Sequence, residues 1–229
     1  MNEEVIEAAK ATQEVAKTTS KAIDASEKFG GFIAKYIAGS MEQAMGIFED
    51  KLKYMRWERQ IRLIDKADEL MKSRGLEKPA KPIPLKLAIP LFEAASLEDN
   101  DYLQDLWTNL LVNVSEADSK IELQRSYIDI LERLTPIEAQ ILEKLYSLSY
   151  EETQHAGIIT GNLPNEVAIF NEKEDKDLPE PSPEIKLALA NLVRLGCVLP
   201  KKTWGGGEIF TYINPTYLGM KFVEACTIN

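Results

Sequence analysis

The sequence has little that supports enzymatic chemistry. Among its 229 residues there is one histidine, His155, and there are two cysteines, Cys197 and Cys226. A Ser–His or Cys–His pair therefore has a single candidate base, and His155 lies in a polar stretch that is typical of a solvated loop. Both cysteines lie in apolar surroundings, which predicts buried thiols rather than a disulfide or a metal pair.

Glycine-rich phosphate-binding patterns are also missing, both the P-loop type and the dinucleotide type. Asp99 and Asp101 are spaced as in a calcium loop, but the glycine and the terminal glutamate of such a loop are absent, so we expect helix capping here. Asp177, Glu184 and Lys186 have a nuclease-like spacing. This set opens a helix after a proline-rich loop, which disfavours a magnesium site. We therefore predict no catalytic residues, no metal and no cofactor.

The charge balance disfavours one class of partner. The formal net charge is −10 at pH 7. Residues 1–134 carry 24 acids and 19 bases, and residues 135–229 carry 13 and 8, so the acidic excess is spread along the chain. Such a chain does not attract nucleic acid over its whole surface. Its first residues, MNEEVIEAAK, have acids where a secretory signal has bases, which predicts a cytoplasmic protein.

Residues 3–28 contain no glycine or proline and predict a helix. A heptad seam of mostly small residues runs along it: Val5, Ala9, Thr12, Ala16, Thr19, Ile23 and Ser26. A seam of this kind buries little area, so the helix needs a close-packed partner. The sequence leaves open whether that partner is the next helix or a second copy of the chain.

The segment 29–62 carries the strongest signal outside catalysis. After Gly30-Gly31 we expect residues 31–73 to form one long helix or two collinear helices. The part 29–48 is mostly apolar and long enough for a bilayer core, whereas the part 51–62 is basic and contains aromatic residues. Seven residues form the candidate membrane or partner surface: Phe32, Ile33, Ile37, Lys53, Arg56, Trp57 and Arg59.

Three interpretations of this segment stay open: the central helix of a soluble bundle, a membrane-active segment, and an oligomer interface. Lys35, Glu42 and Asp50 form a narrow polar stripe, which favours the soluble core because these charges are costly in lipid. Under the second interpretation we expect a cytoplasmic protein that associates with the membrane on activation.

Further helices complete a helical domain over residues 1–134. The helix after the basic segment should stop at Gly75, and a proline-rich linker follows it. The next helix contains Pro90, so we expect it to be kinked or split there. This helix is predicted at 85–95, and two more are predicted after it, at 103–116 and about 121–134.

A second domain is predicted over residues 135–229. A Thr135–Glu138 capping box starts its first helix, and a Ser182-Pro183 cap starts another that ends at Gly196. The remaining elements are a two-stranded hairpin (198–199 with 208–213) and a short closing helix (215–227). Helix, helix, hairpin and helix is the order of a small winged-helix module.

A winged-helix module raises the question of nucleic-acid binding. Its reading helix offers only Lys186 and Arg194, and the base of its wing adds Lys201 and Lys202. With eight bases against thirteen acids in residues 135–229, nucleic acid is the disfavoured partner. A protein partner or a second copy of the chain is the favoured one.

The segment 92–113, FEAASLEDNDYLQDLWTNLLVN, joins an apolar helix end, a short acidic break and an amphipathic helix with a tryptophan. Together with other segments it resembles the Abi-alpha family of bacterial proteins, named for abortive infection in defence against phage. The other segments are Ala22–Ala25 with Gly30-Gly31, YMRWERQIRL (54–63), SYIDILERLTPIEA (126–139), NLVRLGCV (191–198) and YLGMKFVEAC (217–226). The resemblance covers nearly the whole chain in order. It implies a mostly helical, defence-associated protein and supplies no catalytic residues.

The sequence thus predicts a mainly α protein, in which an N-terminal helical bundle precedes a winged-helix-like module with a β-hairpin. The favoured function is a non-enzymatic component or effector of bacterial antiviral defence. It would act by partner binding, self-association or conditional membrane action. The alternative is a winged-helix regulator that binds nucleic acid.

Overall fold

A computed structural model of the chain describes residues 3–38, 57–173 and 177–228. In this part the protein is mainly helical, as the sequence predicts, with nine helices and one four-stranded antiparallel sheet. The chain divides into two compact units, Met1–Ile128 and Asp129–Asn229.

The described part of the first unit consists of four complete helices and two very short strands. They are α1 (Glu3–Tyr36), β1 (Ile37–Ala38), α2 (Trp57–Ser73), β2 (Ile83–Pro84), α3 (Leu85–Leu97) and α4 (Asp101–Ser115). The division between the units falls inside the next helix, α5 (Arg125–Leu131). β1 and β2 pair in parallel.

Helix α1 runs without interruption through Gly30-Gly31, so the expected break at these glycines is wrong. Each glycine costs about 1 kcal/mol relative to alanine in a helix interior. Aromatic side chains on the flanking turns, described below, supply packing that offsets this cost. The helix ends instead at Tyr36 and β1 begins at Ile37, which corrects the prediction that residues 31–73 form one long helix or two collinear helices. Residues 39–56 lie outside the described ranges.

The ends of the other helices follow local signals in the sequence. Asn100 caps α4, because its side-chain oxygen accepts hydrogen bonds from the backbone N–H groups of Tyr102 and Leu103. Gly75 has a φ of +70°, and the N–H of Leu76 donates to the carbonyl of Met71 at 2.9 Å, which closes the end of α2. The predicted stop at Gly75 and the predicted capping before α4 are both confirmed.

The core of the first unit lies between α1, α2, α3 and α4. α1 packs on α2, and α2 packs on both α3 and α4. Its largest fully buried side chains include Trp107, Phe92, Tyr36 and Leu63. α3 continues past Pro90 to Leu97 as one helix, so the expected split at Pro90 does not occur.

The second unit adds four helices to a small sheet. Its elements are α6 (Pro136–Leu145), α7 (Tyr150–Ala156), β3 (Ile158–Ile159), β4 (Ala168–Ile169), α8 (Pro183–Arg194), β5 (Val198–Lys202), β6 (Glu208–Pro215) and α9 (Tyr217–Cys226). The sheet has the order β4-β3-β6-β5, and every pair in it is antiparallel. The predicted hairpin is β5–β6, but it belongs to this larger sheet, because β3 and β4 are too short to show a period in the sequence.

Two helices of the second unit begin at the caps predicted from the sequence, and a third begins at a cap that was not predicted. Thr135 and Glu138 form the complete capping box of α6, and the Ser182 hydroxyl accepts from the N–H of Ile185 at the start of α8. The Thr216 hydroxyl caps α9 by accepting from the N–H of Gly219. α8 ends before Gly196, whose φ of +75° favours glycine.

A half-buried tyrosine, Tyr146, links α6, β5 and α9. The Tyr146 hydroxyl donates to the carbonyl of Cys197 and accepts from the N–H of Thr216. Burial raises the pKa of Tyr146, so the hydroxyl remains a donor. Gly219, in the first turn of α9, lies directly against this junction. A Cβ added at Gly219 would overlap the Tyr146 hydroxyl and the Cys197 carbonyl.

The close approach at Gly219 predicts that the substitution Gly219→Ala destabilises the protein. Helix propensity alone would make Gly219→Ala stabilising by about 1 kcal/mol. Because the new methyl group has no room, we expect the free energy of unfolding to fall by about 1–3 kcal/mol instead. Gly205→Ala is the control, since its Cβ would meet nothing within 4 Å. Urea denaturation followed by circular dichroism measures both, and a stabilised Gly219→Ala protein would contradict the packing described here.

Candidate interaction surfaces

The apolar end of α1 is packed inside the first unit. The rings of Phe29, Phe32 and Tyr36 each lie with their centroids 6.1 Å from that of Phe92 on α3, in edge-to-face or tilted arrangements. The Tyr36 hydroxyl donates to the Met71 sulfur at 3.0 Å. All four rings are essentially inaccessible to solvent. We call these four residues the aromatic cluster.

Three residues of the predicted membrane or partner surface lie in or beside this cluster. Phe32 and Ile33 are 2% exposed and Ile37 is 9% exposed, so the structure places all three in the core of the first unit. Their participation in a membrane or partner surface requires that the end of α1 leave this core. Among the other predicted residues, Lys53 and Arg56 lie outside the described residues, and Trp57 is the first residue of α2.

Arg59 belongs to a row of ion pairs that joins α2 to the start of α4. Its guanidinium donates to the carbonyl of Leu97 and lies 3.1 Å from the Asp99 carboxylate. Two further pairs follow along the same helix: Arg62 with Asp101, and Lys66 with Asp105. We call these three pairs the ion-pair ladder.

The ladder is a consequence of helical spacing. Positions 59, 62 and 66 share one face of α2, and the three carboxylates surround the N-terminus of α4, where negative charge is favourable. The basic residues of segment 51–62 suggested a flank that faces lipid. The positive charges of two of them, Arg59 and Arg62, are instead neutralised by carboxylates of the same unit. Sequence reasoning missed these pairs, although matching spacings of bases and acids were present in the two helices.

The two basic side chains on α8 are engaged with neighbours. Lys186 pairs with Glu180, and Arg194 donates twice to the Asn191 side-chain oxygen, at 2.9 and 2.6 Å. Asn191 in turn donates to the Glu138 carboxylate at 2.8 Å.

The other two predicted nucleic-acid contacts have a different environment. Lys201 and Lys202 are exposed on β5, and neither forms an ion pair with any of the residues that the structure describes. The Lys201 ammonium lies 5.6 Å from the centroid of the Tyr212 ring. The structure therefore separates the four basic residues into an engaged pair on α8 and an exposed pair on β5.

Aromatic residues accompany the exposed pair. The rings of Phe170 and Tyr212 stack with centroids 4.1 Å apart and planes 8° apart. Trp204, in the turn between β5 and β6, is fully exposed. Sequence reasoning did not single out these three residues. The sequence did contain a signal for Trp204. A tryptophan beside three glycines predicts an exposed ring, because a glycine-rich turn has no side chains that could bury it.

The residues with intrinsic reactivity are placed unfavourably for catalysis. His155 is exposed at the end of α7. Cys197 and Cys226 are both buried thiols outside any disulfide, which confirms the prediction of buried thiols. Burial raises the pKa of Cys197 to about 12 and also raises the pKa of Cys226, so both thiols stay protonated and weakly nucleophilic at neutral pH.

Residues 3–38, 57–173 and 177–228 contain neither a grouped metal site nor a membrane-spanning helix. No three His, Cys, Asp or Glu side chains in these ranges are grouped so that they could hold a metal ion. None of the helices there combines the length and the apolar character needed to cross a membrane.

Comparison with known proteins identifies a family. The family model described as abortive infection alpha matches residues 58–226, which takes in almost all of α2 and every later element. The similar residues around Ala22 and Gly30 lie outside this range. No curated protein and no solved structure matches the chain.

The ion-pair ladder predicts unequal effects of two arginine substitutions. The Arg59 side chain is 22% exposed and has two partners, whereas the Arg62 side chain is 41% exposed and has Asp101. We expect Arg59→Ala to lower the free energy of unfolding by about 1 kcal/mol and Arg62→Ala by less than about 0.5 kcal/mol. Denaturant titrations at low and high salt measure both. Equal losses that do not diminish at high salt would contradict an electrostatic ladder.

Proposed function

This chain belongs to the abortive infection alpha family, and on that premise we propose that it is a non-enzymatic component or effector of antiviral defence of the abortive infection type. The family match supports the biological setting. The non-enzymatic part rests on the reactive side chains themselves, since the single histidine is exposed on a helix end and both thiols are buried and protonated.

Association through helices is the mechanism that the geometry supports best. The observation that supports it is a difference in solvent exposure along α1. The C-terminal end of this helix is buried in the aromatic cluster. By contrast, every side chain described between Gln13 and Lys28 is exposed. Two of the exposed residues, Ala16 and Ile23, are positions of the heptad seam, and Ile23 is 55% exposed.

A second copy of the chain is the partner that suits this seam. The positions that flank it, at 6, 8, 13, 15, 20, 22 and 27, hold a single charged residue, Glu27. Charges at these positions normally set partner choice, and their scarcity lets two identical helices approach without repulsion. The small residues of the seam allow the two backbones to come close.

For the second unit we propose a winged-helix-like arrangement. The capped helices α6 and α8, the β5–β6 hairpin and the closing helix α9 follow one another in the order that this arrangement needs. The additional strands β3 and β4 enlarge the sheet beyond a simple hairpin. This interpretation makes the second unit a binding module.

The proposed association is tested with Ile23→Asp in the intact chain. A carboxylate at a seam position would have to lose its water on association, so we expect the solution mass to fall to that of a monomer. Protection against phage, measured as plaque counts on cells that express the chain, should fall with it. Lys21→Asp is the matched control, because Lys21 is an exposed residue of α1 outside the seam.

Three outcomes would contradict parts of this proposal. Unchanged plaque counts and unchanged growth on expression of the wild-type chain would refute the defence role. A wild-type monomer would refute association by the seam. A monomer that released dye from liposomes would instead favour conditional membrane action, for which the aromatic cluster must open.

A further inference from the structure

The edge strand β5, its turn and the residues beside them carry aromatic rings and positive charge that the fold itself does not require. We define the hairpin face as Phe170, Lys201, Lys202, Trp204 and Tyr212. The two lysines are neighbours on the edge strand and project from its opposite sides, and Lys201 is the one that lies over Tyr212. Core formation explains little of this set, because an exposed indole and two ammonium groups that form no ion pair within the described residues contribute little to stability. Their arrangement is nevertheless ordered by specific backbone features.

Gly157 positions the stacked rings. Its φ is +94°, and a Cβ at this position would lie 3.0 Å from a ring carbon of Tyr212. Its carbonyl accepts from the N–H of Phe170 at 3.0 Å, which holds Phe170 beside the same glycine. The absence of a side chain at Gly157 therefore lets the two rings stack on the sheet surface rather than be displaced from it.

The turn that carries Trp204 is also held by hydrogen bonds. The N–H of Thr203 donates to the Gly207 carbonyl at 2.8 Å, and the Thr203 hydroxyl accepts from the N–H of Gly207 at 2.9 Å. Gly206 has a φ of +84°, which suits glycine. Trp204 is thus presented to solvent by a closed turn.

We propose that the hairpin face binds single-stranded nucleic acid. Single-strand binding proteins combine aromatic side chains, on which successive bases stack, with cations that follow the backbone phosphates. Trp204 and the outer side of Phe170 offer ring faces, and Lys201 and Lys202 offer the cations. This activity goes beyond the association proposed for α1 and uses a different unit of the chain.

The same observations disfavour a duplex as the occupant. Bases in a duplex already stack on one another, so the exposed ring faces would find no free partner. A helix that reads a duplex needs available cations, but Lys186 is paired with Glu180 and Arg194 with Asn191. The one carboxylate of the hairpin, Glu208, lies opposite Lys202 in register without an ion pair to it, so residues 198–215 carry two lysines against one carboxylate.

The net charge of −10 limits the strength of this binding and makes it dependent on salt. Two lysines that neutralise two phosphates of a single strand predict a slope of about −1.4 in log K against log salt, from about −0.7 per phosphate. A slope of this size distinguishes a local two-lysine contact from binding over a broad basic surface.

The test uses the full chain and fluorescein-labelled oligo-dT and oligo-U of about 12 nucleotides. Fluorescence anisotropy is measured between about 50 and about 300 mM NaCl. We expect Trp204→Ala to weaken binding about tenfold and Trp204→Phe to retain most of it, because a ring is enough for stacking. Lys201→Glu together with Lys202→Glu should weaken binding and bring the slope near zero. All these side chains are exposed, so the fold is retained.

Lys186→Gln is the matched control, since it removes a basic side chain of the same unit that is already paired, and it should leave the affinity unchanged. The proposal is overturned if neither oligonucleotide binds at low salt, if Trp204→Ala binds as the wild type does, or if an unlabelled duplex competes as well as a single strand. A blue shift of Trp204 emission with anionic phosphatidylglycerol vesicles, without any effect of the oligonucleotides, would also overturn it and assign the hairpin face to membranes.

Discussion

The aromatic cluster holds the C-terminal end of α1 in the core of the first unit. Phe29, Phe32 and Tyr36 occupy successive turns at the end of α1 and meet the single ring of Phe92 on α3. Each aromatic pair is worth about 0.5–1.5 kcal/mol beyond the burial of its area. Two glycines inside α1 weaken the helix locally, but the cluster holds the helix through them. Residues 29–37, the described end of the apolar segment, thereby belong to the core.

The ion-pair ladder adds orientation more than stability. Exposed pairs contribute about 0–1 kcal/mol each, so three of them together do not match the aromatic contacts. Their spacing nevertheless fits α2 and α4 in one register only, because each base on one face of α2 meets its own carboxylate. The ladder also places Arg59 and Arg62 beside carboxylates instead of lipid phosphates. Burial thus sets the strength of the first unit, and charge sets the alignment of its helices.

Features governed by neighbouring residues could be predicted from the sequence. The Thr135 capping box, the Ser182 cap and the stops at Gly75 and Gly196 all depend on side chains within a few positions of the helix end. Features that depend on distant partners could not. The continuity of α1 depends on Phe92, more than fifty positions away, and the strands β3 and β4 are defined by pairing rather than by periodicity. For the same reason only part of the hairpin face could be predicted. Its lysines were identified from the sequence, but the stack of Phe170 on Tyr212 forms only when the strands pair.

Residues 29–37 end α1 in the core, whereas the side chains described between residues 13 and 28 are exposed. Amide hydrogen exchange in the Ile23→Asp chain tests this difference most directly, because this change removes the association proposed for α1. We expect peptides from residues 29–37 to exchange at least about a hundredfold more slowly than peptides from residues 13–28. Equal exchange rates in the two segments would contradict it, since the end of α1 would then not be held by the aromatic cluster.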